Sequence, residues 1–120
     1  VPKPIALILL LAYVVALTSL SLMNIHKMPS LGSSFDDKLY HLGAYVVFML
    51  ISFNFFRQTQ LKHKILVSGA IIVLYGIIIE VLQQTLSTTR TLDVYDMLAN
   101  FIGVVVGAII IKLMVNLKLN

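Results

Sequence analysis

Cysteine is absent from this chain, and acidic residues are scarce: five Asp and Glu stand among 120 residues. Without cysteine there is no disulfide, no zinc–thiolate centre and no thiol nucleophile, and the redox compartment cannot be read. Charged residues make up only 12% of the chain, about half the usual share of a soluble domain. There is no P-loop, no nucleophile elbow and no compact His-Glu-x-x-His metal motif. Alternating apolar and polar strands are missing as well, which excludes a membrane β-barrel. The net charge of +4 does not mark a nucleic-acid binder, because the basic residues sit at the ends of apolar runs and are not interleaved with aromatics.

What the chain does have is apolar length. It is 59% hydrophobic with a mean hydropathy of +0.98. Four runs stand out, about Pro4–Met23, Lys38–Phe56, Ile65–Leu86 and Tyr95–Val115. Each is roughly 20 residues, enough as a helix to cross about 30 Å of hydrocarbon. Backbone groups in lipid must satisfy one another, and a helix does this within itself. The expectation is an all-α polytopic membrane protein, a four-transmembrane-helix bundle forming one domain over residues 1–120. The first run resembles a signal peptide in having Lys3 before it and Thr18, Ser19 and Ser21 near its end. Its apolar length and the lack of an A-x-A site favour a retained helix.

Loop charges set the orientation. If all four helices span, the amino terminus, the middle loop and the carboxyl tail share one side. That side carries Lys3, Arg57, Lys62, Lys64, Lys112 and Lys118 and no acid. The other carries Lys27, Lys38 and Arg90 against all five acids, Asp36, Asp37, Glu80, Asp93 and Asp96. By the positive-inside rule both termini are cytoplasmic and the acid-rich end faces outward.

At about 100° per residue, helical spacing then groups the polar side chains. Asp37, His41, Tyr45 and Ser52 share one stripe of the second helix. Gly69, Gly76, Glu80, Gln83 and Ser87 share one on the third, and Asp96, Asn100, Gly103 and Gly107 one on the fourth. Three such stripes belong face to face, away from lipid, and Gly103-x-x-x-Gly107 is a small-residue helix contact. The short Ser87–Val94 connection makes helices three and four antiparallel neighbours, so Glu80 and Asn100 reach similar depth.

An acid at the centre of a span costs about 2.5–3.5 kcal/mol on insertion scales. Glu80 as interhelical glue to Gln83, Asn100 or Tyr45 is the plainer reading, but an amide would serve there without that cost. Glu80, His41 and Asp96 are therefore the candidate acid–base groups. Asp37 and His41 lie one turn apart, as a helix cap beside an interfacial histidine or as a carboxylate-oriented imidazole. Arg90 suits a phosphate or carboxylate, and it pairs either with Asp93 or Asp96 or with a lipid phosphate. Lys38 snorkels to the headgroups or contacts phosphate. Tyr45, Gln83, Asp93 and Asn100 complete the ligand-binding candidates, with Gly103 and Gly107 as packing residues. His41, Asp37, Glu80, Asp93 and Asp96 hold enough nitrogen and oxygen for a divalent ion, but with no compact ligand motif no metal and no cofactor is assigned.

The pattern Asp37-Lys38-x-x-His41-x-x-x-Tyr45, Glu80-x-x-Gln83, Arg90-x-x-Asp93-x-x-Asp96 and Asn100-x-x-Gly103-x-x-x-Gly107 resembles the VanZ-like family of small bacterial membrane proteins. That family takes its name from a member linked to low-level resistance to the glycopeptide teicoplanin. The resemblance implies a multi-pass protein of the bacterial cytoplasmic membrane working in the cell envelope, and it supplies no established mechanism. Three classes follow for this chain. One binds a phospholipid or polyprenyl-linked headgroup at the outer leaflet. Another is an enzyme acting on such a lipid, and the third is a scaffold or a proton-handling transporter, although four short helices give little room for alternating access without oligomerisation. Membrane lipids are the expected partners and nucleic acid is not.

Overall fold

The computed structural model describes residues 2–22, 35–86 and 94–118. They form four helices, α1 (Lys3–Leu22), α2 (Phe35–Phe56), α3 (Lys64–Leu86) and α4 (Val94–Lys118). Each is long and apolar enough to cross a membrane, and at about 1.5 Å per residue each reaches 30 Å or more. The fold is the four-helix membrane bundle that the apolar runs predict. Pro2 and Pro4 sit where a helix can take them, because first-turn N–H groups have no partner in the helix to lose. Pro2 contributes its carbonyl, which accepts from the Ala6 amide at 2.9 Å.

The α2–α3 connection is closed by its own polar groups. Successive amides of Arg57, Gln58 and Thr59 donate to the carbonyls of Phe53, Phe55 and Phe56, tightening the last turn of α2. Thr59 Oγ1 also donates to Phe56 O at 2.6 Å, and Lys64 Nζ donates to Arg57 O at 2.9 Å. His63 precedes α3 with φ 55°, and its carbonyl accepts from the Val67 amide at 2.9 Å. Lys3 lies 6.0 Å from the Phe55 ring centre, so the start of α1 lies beside the end of α2. The helices run up, down, up and down, and the described cations Lys3, Arg57, Lys62, Lys64 and Lys112 gather toward one end.

α2 and α3 form the middle of the bundle. α1 packs on both and so does α4, while α1 and α4 lie on opposite sides of that pair. The core joins Tyr45, Phe48 and Met49 of α2 to Ile72 of α3 and to Val104 and Ile111 of α4. Leu10, Tyr13, Val14 and Leu17 of α1 pack against it from one side. Many other Leu, Ile and Val side chains point outward, Ile8, Leu66 and Leu113 among them. In water such a surface would aggregate, and against lipid chains it is the matched one.

α2 and α4 run parallel in a fixed register. Lys38 meets Asp96 and His41 meets Asn100, pairs 58 and 59 residues apart. One turn on, a Cβ placed on Gly103 would lie 2.5 Å from Leu42 O and 3.0 Å from Tyr45 Cβ. One turn further, a Cβ on Gly107 would lie 2.7 Å from Met49 Cβ. Only glycine permits this approach, so the Gly103-x-x-x-Gly107 surface packs α4 onto α2, backbone against backbone.

Candidate functional site

The site forms where that register carries the polar ends of three helices together. The first turns of α2 bring Lys38, His41 and Tyr45. The last turns of α3 bring Gly76, Glu80 and Gln83, and the first turns of α4 bring Asp96 and Asn100. Tyr45, Glu80, Gln83, Asp96 and Asn100 are all buried, Glu80 with 3% of its surface exposed. Two of the five acids, Glu80 of α3 and Asp96 of α4, lie inside the bundle on facing helices.

Lys38 Nζ donates to Asp96 Oδ1 at 2.6 Å. The ammonium end is the more open half of this pair, its side chain 25% exposed against 9% for Asp96. Asp96 also lies in the first turn of α4, where the helix dipole favours an anion. On the inner side, His41 Nδ1 and Asn100 Oδ1 are 2.9 Å apart. An amide oxygen only accepts, so His41 Nδ1 carries the proton of this bond. His41 Nε2 then points toward Asp96 Oδ2, 3.7 Å away, which is longer than a hydrogen bond. One ligand atom from each of His41, Glu80 and Asp96 lies within 4.8 Å of the others.

Tyr45 and Asn100 close the floor. A Cβ on Gly76 would come 3.3 Å from the Tyr45 hydroxyl and 3.4 Å from Asn100 Nδ2. Glycine at this position lets both groups pass beneath Glu80, one turn further along α3. The Tyr45 ring joins those of Tyr13, Phe48 and Tyr75 in a set of tilted and edge-to-face pairs, with centroids 5.2–6.4 Å apart. Such packing fixes the rings in few orientations. The polar end therefore sits on a rigid apolar base.

Most of the residues singled out from sequence fall in or beside this cluster. Gln83 is buried but turns toward α1, its Nε2 donating to Ser21 O at 2.6 Å, while its neighbour Gln84 is exposed. Lys38, expected at headgroups or phosphate, has the Asp96 carboxylate as a partner. Arg90, Asp93 and the side chain of Asp37 lie outside the described residues. Sequence reasoning missed the part played by α1. Thr18 Oγ1 and Tyr75 OH share a hydrogen bond of 2.6 Å, and Tyr13 OH donates to Ala44 O. The signal was there in Tyr13, Thr18 and Tyr75, polar atoms that a lipid-facing position would leave unpaired.

Chemically, the arrangement offers one cation at the mouth, two carboxylates, an imidazole with one nitrogen committed, and an amide, all in an apolar surround. It can bind an anion beside Lys38, move a proton among His41, Asp96 and Glu80, or hold a cation. No curated protein and no solved structure shows a significant match to the chain. A family model described as VanZ/LLP1 matches residues 5–115. That span takes in most of α1, the polar end and every motif residue from Asp37 to Gly107, and the chain belongs to the VanZ-like family.

Proposed function

We propose that the polar end of the bundle engages the anionic headgroup of a phospholipid or polyprenyl-linked lipid at the outer leaflet of the bacterial cytoplasmic membrane. One observation carries this reading: Lys38 stands partly open at the mouth of a buried cluster of hydrogen-bonding side chains, held there by Asp96. A phosphate arriving from the membrane finds the ammonium first, and His41, Asn100 and Glu80 lie behind it to receive hydroxyl or amide groups. Arg90, in the loop between α3 and α4, adds a second cation on the same side with the fork geometry that phosphate favours. The six cations that the opposite side carries support the outward placement. Single cysteines at Gln60 and Leu92 test it, and labelling of both from outside by an impermeant reagent would overturn the orientation.

Native mass spectrometry of the detergent-purified protein tests the headgroup site. The wild type should retain an anionic envelope lipid that Lys38→Ala and Arg90→Ala lose while staying folded. The same nonspecific lipid profile in all three proteins would remove the main support and bring a scaffold or proton-handling role forward. A second reading, an acid–base enzyme acting on such a lipid, is favoured by the approach of His41, Glu80 and Asp96. Glu80→Gln would then keep the lipid and abolish its turnover. A role in teicoplanin resistance comes with the family name alone, and comparing susceptibility with and without the gene tests it directly.

A further inference from the structure

We propose that His41, Glu80 and Asp96 form a binding site for a divalent metal ion, a first-row cation of the Mn2+ or Zn2+ kind. Three helices supply one donor each, and the three donor atoms lie within 4.8 Å of one another. Two ligands each about 2.1 Å from an ion stand roughly 3–4 Å apart, so side-chain shifts of under about 1 Å close this set around a cation. Two oxygens and one imidazole nitrogen make a donor set that suits Mn2+, Fe2+ or Zn2+ and disfavours Cu(I).

The orientation of His41 points the same way. Its Nδ1 proton is committed to Asn100 Oδ1 at 2.9 Å. Asn100 Nδ2 lies on the Gly76 side, 3.4 Å from where a Cβ on that glycine would stand. This leaves Nε2 as the ring atom that faces the carboxylate, Oδ2 of Asp96 at 3.7 Å. In a neutral imidazole that nitrogen offers a lone pair, and two lone pairs at this separation describe two corners of a coordination shell. A carboxylate, a carbonyl or a water usually accepts from the outer nitrogen of a ligating histidine, and here the Asn100 side-chain carbonyl takes that place.

Burial adds to the geometry. Glu80 and Asp96 are 3% and 7% exposed and come from facing helices, and buried carboxylates are typically paired with a cation or bound to a metal. Lys38 binds Asp96 Oδ1, while Oδ2 stays directed inward, toward His41. The convergence of a nitrogen with one proton already placed and two oxygens from different helices favours the metal. The site needs no lipid, so it stands or falls apart from the headgroup reading.

The test is metal binding by the whole protein in detergent, stripped with chelator and then titrated with Mn2+ or Zn2+ alone. The wild type should bind close to one ion per chain, read by loss of the free Mn2+ resonance signal and by zinc content after gel filtration. Glu80→Gln and Asp96→Asn should each weaken binding at least tenfold, and Asn100→Ala about 10–100-fold through loss of the outer partner. His63→Ala, in the exposed loop far from the cluster, should bind as the wild type does. Circular dichroism and metal-free melting show whether each variant is folded, and Glu80→Gln keeps the shape of the side chain. A wild type that binds neither ion, or a folded Glu80→Gln that binds as tightly as the wild type, overturns the proposal.

Discussion

α2 meets its neighbours on two sides by different physics. Toward α4 the contact is close and mostly apolar, with Gly103 and Gly107 letting the α4 backbone settle against Leu42, Tyr45 and Met49. On the other side α1 is held more loosely and at points, to α2 by the bond of Tyr13 to Ala44 and to the adjoining α3 by those of Thr18 to Tyr75 and Ser21 to Gln83. Ala6 is the one α1 residue among the buried core. Lipid gives no hydrophobic reward for bringing helices together, so close packing and hydrogen bonds must hold them. The α2–α4 seam uses the first and α1 mainly the second. The seam is also what sets the site: the same offset that seats Gly103 beside Tyr45 brings Asn100 to His41 and Asp96 to Lys38.

The largest effect should come from filling the seam. Gly103→Leu puts a side chain where even a Cβ would lie 2.5 Å from the Leu42 carbonyl oxygen, and backbone on that side cannot give way cheaply. Overpacking of this kind costs about 3 kcal/mol or more. Unfolding in mixed detergent should show the loss, together with loss of the Lys38–Asp96 pair. Gly43→Ala is the contrasting change, since a Cβ there meets nothing within 4 Å, and replacing a helical glycine gains up to about 1 kcal/mol. If both substitutions behave alike, close packing is not what holds α4.

Next in size is the ion pair above the seam. Asp96→Ala leaves the Lys38 ammonium without that carboxylate at the mouth of the cluster. Removing one member of a buried pair costs about 3–5 kcal/mol, and partial exposure of Lys38 lets water relieve much of it. A loss of about 1–2 kcal/mol is the expected result, and Lys38→Met should recover part of it in the double variant by replacing the stranded charge. A double variant no more stable than Asp96→Ala would show that the charge, once alone, is already solvated.

Much of this was legible in the residues. The four helices match the apolar runs because a span's length and apolarity are local properties, although α2 begins at Phe35, three residues before the apolar run. The stripes were legible for a related reason: polar atoms in lipid must face inward, and Tyr45, Ser52, Glu80, Asp96 and Asn100 are all buried. What spacing along one helix cannot give is the rotation and offset between helices. Lys38 therefore read as a headgroup contact, and its bond to Asp96 emerges only once the glycine seam fixes the register. Gln83 illustrates the same limit. Its stripe placed it beside Glu80, and the bond to Ser21 depends on where α1 lies, which no motif encodes.

A smaller effect separates that bond from the site proper. Gln83→Ala removes the donor to Ser21 O and should cost about 0.6–1.7 kcal/mol, the range of interhelical hydrogen bonds in lipid. Metal and lipid binding should persist if Gln83 serves only to tie α1 to α3. Loss of either ligand without loss of stability would move Gln83 into the site.

The smallest effect tests whether α1 is held by the sum of its bonds or by one of them. Thr18→Val keeps the shape of the side chain and removes its hydroxyl, which shares a bond with Tyr75 OH. About 0.6 kcal/mol is the expected cost. Combined with Gln83→Ala, two turns along α3, the losses should add within about 0.3–0.5 kcal/mol if the ties are independent. A loss well above the sum would mean that α1 leaves the bundle as a unit once two ties are gone. In that case the aromatic base under the site, to which Tyr13 contributes, would open with it. α1 would then be part of the site's foundation even though none of its side chains enters the cluster of His41, Glu80 and Asp96.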